Sequence, residues 1–224
     1  MRPDLGGRSD RFSLQRGADL VEILGPVTEL SATSLTWGMY PLAPWAGRIR
    51  HGRFTFRNHE VRLDLNHDDG SAEADAGTAS DDAGAEQQRG GGPIDPPLRA
   101  PRRMNDDDRR HAIHGTTFNQ PWTVSEVAKR HLSMTCPLDG IRTWPFGGTA
   151  HQRISLTATA VTCDLTVPAD DRDVPATIGW HPWFAAPKRV EFSPTDMYAT
   201  DDLGLPTGEL IAPSPPPWDD CFIN

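Results

Sequence analysis

Cysteine is scarce in this chain: Cys136, Cys163 and Cys221 are the only three in 224 residues, widely spaced and odd in number. That argues against a disulfide framework, and no Cys-x-x-Cys pair points to zinc. The three are expected to be small buried side chains. Long apolar runs are missing too. No stretch approaches the roughly 20 residues of a membrane span. The start, MRPDLGGRSDRFSLQRG, lacks the apolar segment of a signal peptide. The sequence therefore predicts a cytoplasmic protein with no membrane partner. Positive charge is in deficit: 22 Lys and Arg against 31 Asp and Glu leave −9. A nucleic-acid partner needs a basic face, so that class is disfavoured. Helix signals are absent as well. No long segment holds a 3.6-residue apolar stripe, and 21 prolines work against helices.

The acidity is local. Between Asp68 and Asp95 there are eight acids and one base, Arg89, so the rest of the chain lies within two charges of neutral and suits a neutral or weakly charged ligand. Residues 67–110 are rich in Ala, Gly, Asp and Pro and nearly devoid of large apolar groups. Such a segment cannot bury enough surface to offset its ordering entropy. It is expected to be a disordered acidic insertion in a surface loop of one domain spanning 1–224. Elsewhere the pattern is strand. RFTFRN, EVRLDL, WTVSEV, HLSMTC, QRISLTAT and TCDLTV alternate apolar and polar residues, with ADLVEILG and ATIGW more mixed. Many short strands between turn signals predict an all-β sandwich or barrel.

Four clusters set an ionisable residue among apolar ones: PLAPWAGRIRHGRF (41–54), HAIHGTTFNQPW (111–122), IGWHPWF (178–184) and WDDCF (218–222). Each has an ordinary explanation alone. Arg48 could be a surface arginine on a turn, His114 and His181 could be satisfied buried histidines, and Asp219 and Asp220 could cap a turn. Trp45, Trp180, Trp183 and Trp218 could be core, although an indole face also suits the C–H face of a sugar. His111 and His114 stand three apart, but zinc needs more ligands, so no metal site is assigned.

Together and in this order, the clusters resemble the aldose 1-epimerases, the galactose mutarotase-like proteins. AGRIRHGRFTF is similar to their arginine motif before a short G-x-F strand, AIHG to their HG motif, and NQPW to the PW that follows. HPWF and WDDCF resemble their later histidine and aspartate motifs. YPLAPWAGRI and DLGLPTGEL are of the kind seen in bacterial members. The resemblance runs from about Ala18 to Phe222. It implies a large antiparallel β-sandwich, which would be incomplete at the C-terminus here, and a sugar substrate. It implies that His181 is the general acid that protonates the ring oxygen. His114 would donate a hydrogen bond and hold the sugar. Arg48 and Trp183 would bind the substrate. Asp219, or Asp220 by a one-residue shift, would accept hydrogen bonds from hydroxyls.

The implied reaction explains these residue types. A base takes the anomeric proton, an acid protonates the ring oxygen, the C1–C2 bond rotates and the ring closes on its other face. Histidine exchanges protons near neutral pH, and no cofactor is required. The family's base is a glutamate beyond the aspartate motif. No position here matches it, and Glu209 lies before that motif. Losing such a partner costs about 10²–10⁴ in rate, so impaired activity is expected. Two further readings stand beside this one. A hexose-6-phosphate 1-epimerase would need basic residues for the phosphate, with Arg50, Arg53 and Arg142 as candidates. A non-catalytic carbohydrate-binding protein could use the same fold.

Overall fold

Alternating segments become antiparallel strands throughout the computed structural model, which describes residues 1–27, 35–65, 111–138, 144–169, 171–185, 190–201, 204–216, 218 and 220–224. The expected insertion at 67–110 lies outside the described residues, as do Arg142 and Asp219. The described residues divide into two compact units, one drawn from residues 1–65 and 111–191, the other from residues 192–224.

Among the described residues, twelve strands of the first unit fall into five antiparallel groups. β1 (Ser13–Arg16) and β2 (Asp19–Glu22) form an exposed hairpin. β3 (Met39–Leu42) receives a late strand, described below. β4 (Arg48–Arg50) pairs with β7 (His111–Ile113). β5 (Arg53–Phe56) and β6 (His59–Arg62) are joined by Arg57 and Asn58, both at positive φ. Two left-handed residues in a two-residue loop match the right-handed twist of the flanking strands. β8 (Thr123–Ala128), β9 (His131–Pro137), β10 (Thr149–Leu156) and β11 (Val161–Thr166) form a meander in the order β11-β10-β9-β8. Finally β12 (Gly179–Pro182) pairs with β3.

The meander shows why these sequences make strands. Along β10 burial alternates, with Ala150, Gln152 and Ile154 inward. Met134 and Cys136 of β9 belong to the same core as Ala150, Trp45, Trp122 and Trp144. Trp45 and Trp144 meet at 6.0 Å and 30°, so Trp45 is a core residue. Gln152 satisfies its buried amide by donating to the Gly7 carbonyl at 2.9 Å, as a buried polar group must. A smaller cluster of Tyr40, Leu42 and Phe118 packs against Trp183. Of the cysteines only Cys136 is fully buried. Cys163 is half-buried and Cys221 exposed, which corrects the expectation that all three are buried.

The second unit holds β13 (Asp196–Thr200), β14 (Pro206–Ile211) and β15 (Phe222–Ile223) in the order β14-β13-β15. Phe192, Trp218 and Phe222 cluster edge to face beside it. No helix among the described residues is long and apolar enough to cross a membrane.

Candidate active site

The HG motif is built by backbone geometry. His114 follows β7 and takes a left-handed φ of 59°, an uncommon conformation for a residue with a side chain. Gly115 follows at φ 77°. Here only glycine fits: a Cβ at Gly115 would lie 2.0 Å from the Ala43 carbonyl oxygen. That oxygen is a hub. It accepts from the Thr116 amide at 2.9 Å, the Thr117 amide at 3.2 Å and the Thr117 hydroxyl at 3.1 Å. The loop before β4 is thereby tied to the loop after β7.

The same tie fixes the His114 imidazole. The His114 amide donates to the Gly47 carbonyl at 2.8 Å, and the Gly47 amide donates to His114 Nδ1 at 3.3 Å. An amide N–H can only donate, so Nδ1 is the bare nitrogen and the proton resides on Nε2. Burial first, then His181 and Arg48, push the His114 pKa down to about 3. At neutral pH His114 is therefore an uncharged donor through Nε2. Arg48 begins β4 opposite Ile113, the residue before His114, and is exposed.

His181 arrives on β12, opposite Tyr40 of β3. Its ring stacks on Tyr40 and on Trp183 and meets the His114 ring edge to face at 5.1 Å and 78°. Burial holds its pKa below the ordinary value, because charging an imidazole away from water is costly. A further link comes from Thr177, whose hydroxyl accepts from the Ala46 amide at 3.4 Å while its own amide donates to the Pro44 carbonyl.

Four of the expected site residues, Arg48, His114, His181 and Trp183, thus lie in the first unit, and the two histidines are in ring contact. Asp219 lies outside the described residues. Asp220 and Trp218 belong to the second unit. Asp220 accepts from the Ser214 hydroxyl at 3.0 Å, and the Trp218 indole donates to the Ser214 carbonyl. Among the phosphate candidates, Arg50 shares β4 with Arg48, and Arg53 lies 4.0 Å from Glu60. Sequence reasoning passed over Tyr40. It sits inside the YPLAPWAGRI stretch, but only strand register reveals that it faces His181.

The aldose 1-epimerase family profile matches residues 100–221, more than half of the chain, and the chain belongs to that family. Among solved structures it is similar to an Escherichia coli K12 protein provisionally described as an aldose 1-epimerase (TM-score 0.63, 21% identity, 99% of this chain and 62% of that one). It is also similar to a GalM/aldose epimerase homologue from C. elegans (TM-score 0.59, 11% identity, 93% and 56%). A galactose mutarotase-like protein from Lactobacillus casei ATCC 334 gives a TM-score of 0.55 at 12% identity over 95% and 67%. At these identities the likeness shows the fold, the antiparallel β-sandwich of galactose mutarotase-like proteins. The chain spans less than two thirds of the length of the first two. No curated protein matches it.

Proposed function

We propose that the chain carries an aldose 1-epimerase site that interconverts the α and β anomers of a hexose. The observation behind this reading is the contact between His114 and His181, two imidazoles of unlike setting in a chain of this family. His114 is locked as a neutral Nε2 donor by Gly47. It serves to hold the sugar by a hydrogen bond and to steady charge on the ring oxygen as the ring opens. His181 is the general acid for that oxygen. Its depressed pKa makes the protonated form a minority at neutral pH, so the acid-dependent rate climbs as pH falls from neutrality toward that lowered pKa. Arg48 binds hydroxyls, and Trp183 offers an apolar wall. A base must take the anomeric proton, and none of these residues supplies it.

The phosphorylated-hexose reading draws support from Arg48 and Arg50, which stand two apart on β4 and are both exposed, hence on one face of the strand. Polarimetry on freshly dissolved α-glucose and on glucose 6-phosphate tests both. Faster decay than buffer on the free sugar supports the hexose epimerase, and a preference for the phosphate moves the assignment to the second reading. Saturable calorimetric binding without any acceleration rejects both in favour of a carbohydrate-binding protein.

A further inference from the structure

A histidine that handles a proton is ordinarily oriented through its second ring nitrogen, which donates to a carbonyl or carboxylate. No other described residue supplies that tether to His181: its Nδ1 is buried without a hydrogen-bond partner among them, and the backbone group that acts on the imidazole is its own. The torsion left open is χ2, which turns the ring out of its plane. Two flanking rings oppose that turn. Tyr40 lies 4.9 Å away, centroid to centroid, at 12° to the imidazole, and Trp183 lies 5.5 Å away at 23°.

Both flanking rings are bonded to one atom. The Tyr40 hydroxyl donates to the Leu35 carbonyl oxygen at 3.0 Å, and the Trp183 Nε1 donates to the same oxygen at 2.6 Å. A carbonyl oxygen has two lone pairs and can serve both. Tyr40 is fully buried, and the Arg8 guanidinium sits over its ring at 4.7 Å. Arg8 is in turn held by the carbonyls of Leu5 at 2.8 Å and Phe118 at 3.1 Å.

We propose that Tyr40 is a positioning residue for His181: with Trp183 it forms an aromatic clamp, closed by the Leu35 carbonyl, that sets the imidazole plane in place of a hydrogen bond to Nδ1. The kinetic consequence rests on the epimerase reading of the site. The clamp itself does not.

The test compares the full chain with Tyr40→Leu, which removes the ring, and Tyr40→Phe, which keeps the ring and loses the hydroxyl. The first readout needs no activity. The His181 Cε1–H resonance, assigned with His181→Gln, should lie upfield in the parent and in Tyr40→Phe, shielded by the flanking ring, and move downfield in Tyr40→Leu. An unmoved resonance overturns the clamp. The second readout is anomer exchange. Tyr40→Leu should lower kcat by about 10–100-fold, as misorientation of a reacting group does, with KM little changed. Tyr40→Phe should recover most of that loss. A kcat retained despite a displaced His181 resonance overturns the positioning role. A parent chain with no exchange refutes the epimerase reading, and the resonance comparison still decides the clamp. Because Tyr40 is fully buried, Trp183→Leu, at a half-buried position, supplies the parallel variant if Tyr40→Leu does not fold. It should shift the same resonance downfield, and no shift overturns the clamp.

Discussion

Replacing Gly115 by alanine should be far more damaging than replacing Gly47, although both glycines have φ 77°. At Gly47 an added Cβ meets nothing within 4 Å. The cost there is the left-handed conformation alone, about 1–2 kcal/mol, less about 0.4–1 kcal/mol because alanine also restricts the unfolded chain. At Gly115 the same Cβ would stand 2.0 Å from the Ala43 carbonyl oxygen. That oxygen must retreat by more than 1 Å to reach ordinary contact, on the order of 3.5 Å. The hydrogen bonds it accepts from the Thr116 amide, the Thr117 amide and the Thr117 hydroxyl cannot survive such a retreat. At about 1 kcal/mol each, they bring the total for Gly115→Ala to about 4 kcal/mol, against about 1 for Gly47→Ala. Thermal denaturation of the two variants converts this into a Tm loss of ~8–16 °C against ~2–4 °C for a chain of this size. Equal losses would refute the claim that contact with Ala43, rather than backbone handedness, demands glycine after His114.

Three other outcomes follow from the same structure. In the unfolded chain His114 takes up a proton near its ordinary pKa of 6.5, whereas the folded protein resists until about 3. Stability is therefore full above pH 6.5 and falls toward pH 3, by up to about 1.4 kcal/mol per pH unit. His181 adds a loss of the same sign, and urea titrations between pH 7 and 4 check it. His114 should also show the Nε2–H tautomer and no titration between pH 5 and 8 in a nitrogen-detected imidazole spectrum, whereas titration inside that window contradicts its burial and its bond to Gly47. Arg8→Met deprives the Leu5, Trp37 and Phe118 carbonyls of a shared donor. It should destabilise by about 3 kcal/mol or more. Arg8→Lys should recover less than half, because an ammonium lacks the planar fork. Denaturant midpoints near the parent value would refute this.

The strands most legible in the sequence were those with one face in water. β9, β10 and β11 alternate burial nearly residue by residue, and HLSMTC, QRISLTAT and TCDLTV announce them. The strands that carry the site gave no such signal. Tyr40, Pro41 and Leu42 of β3 and all three residues of β7 are buried, so their sequences do not alternate, and three or four residues leave no room for a period to show. They surfaced instead as motifs around Arg48, His114 and His181. What the motifs could not convey was pairing. That His181 lies opposite Tyr40, and that Gly47 sets the His114 tautomer, depend on contacts between segments 67 or more residues apart. The conformation of His114 was equally hidden, since histidine rarely signals a left-handed turn.

The measurement that bears most directly on the proposed function is the α-to-β exchange rate of glucose, followed by NMR saturation transfer on the parent chain and on His181→Ala. The account predicts exchange faster than buffer in the parent and exchange at the buffer rate in the variant. A parent indistinguishable from buffer, or a variant that keeps the parent rate, would contradict it.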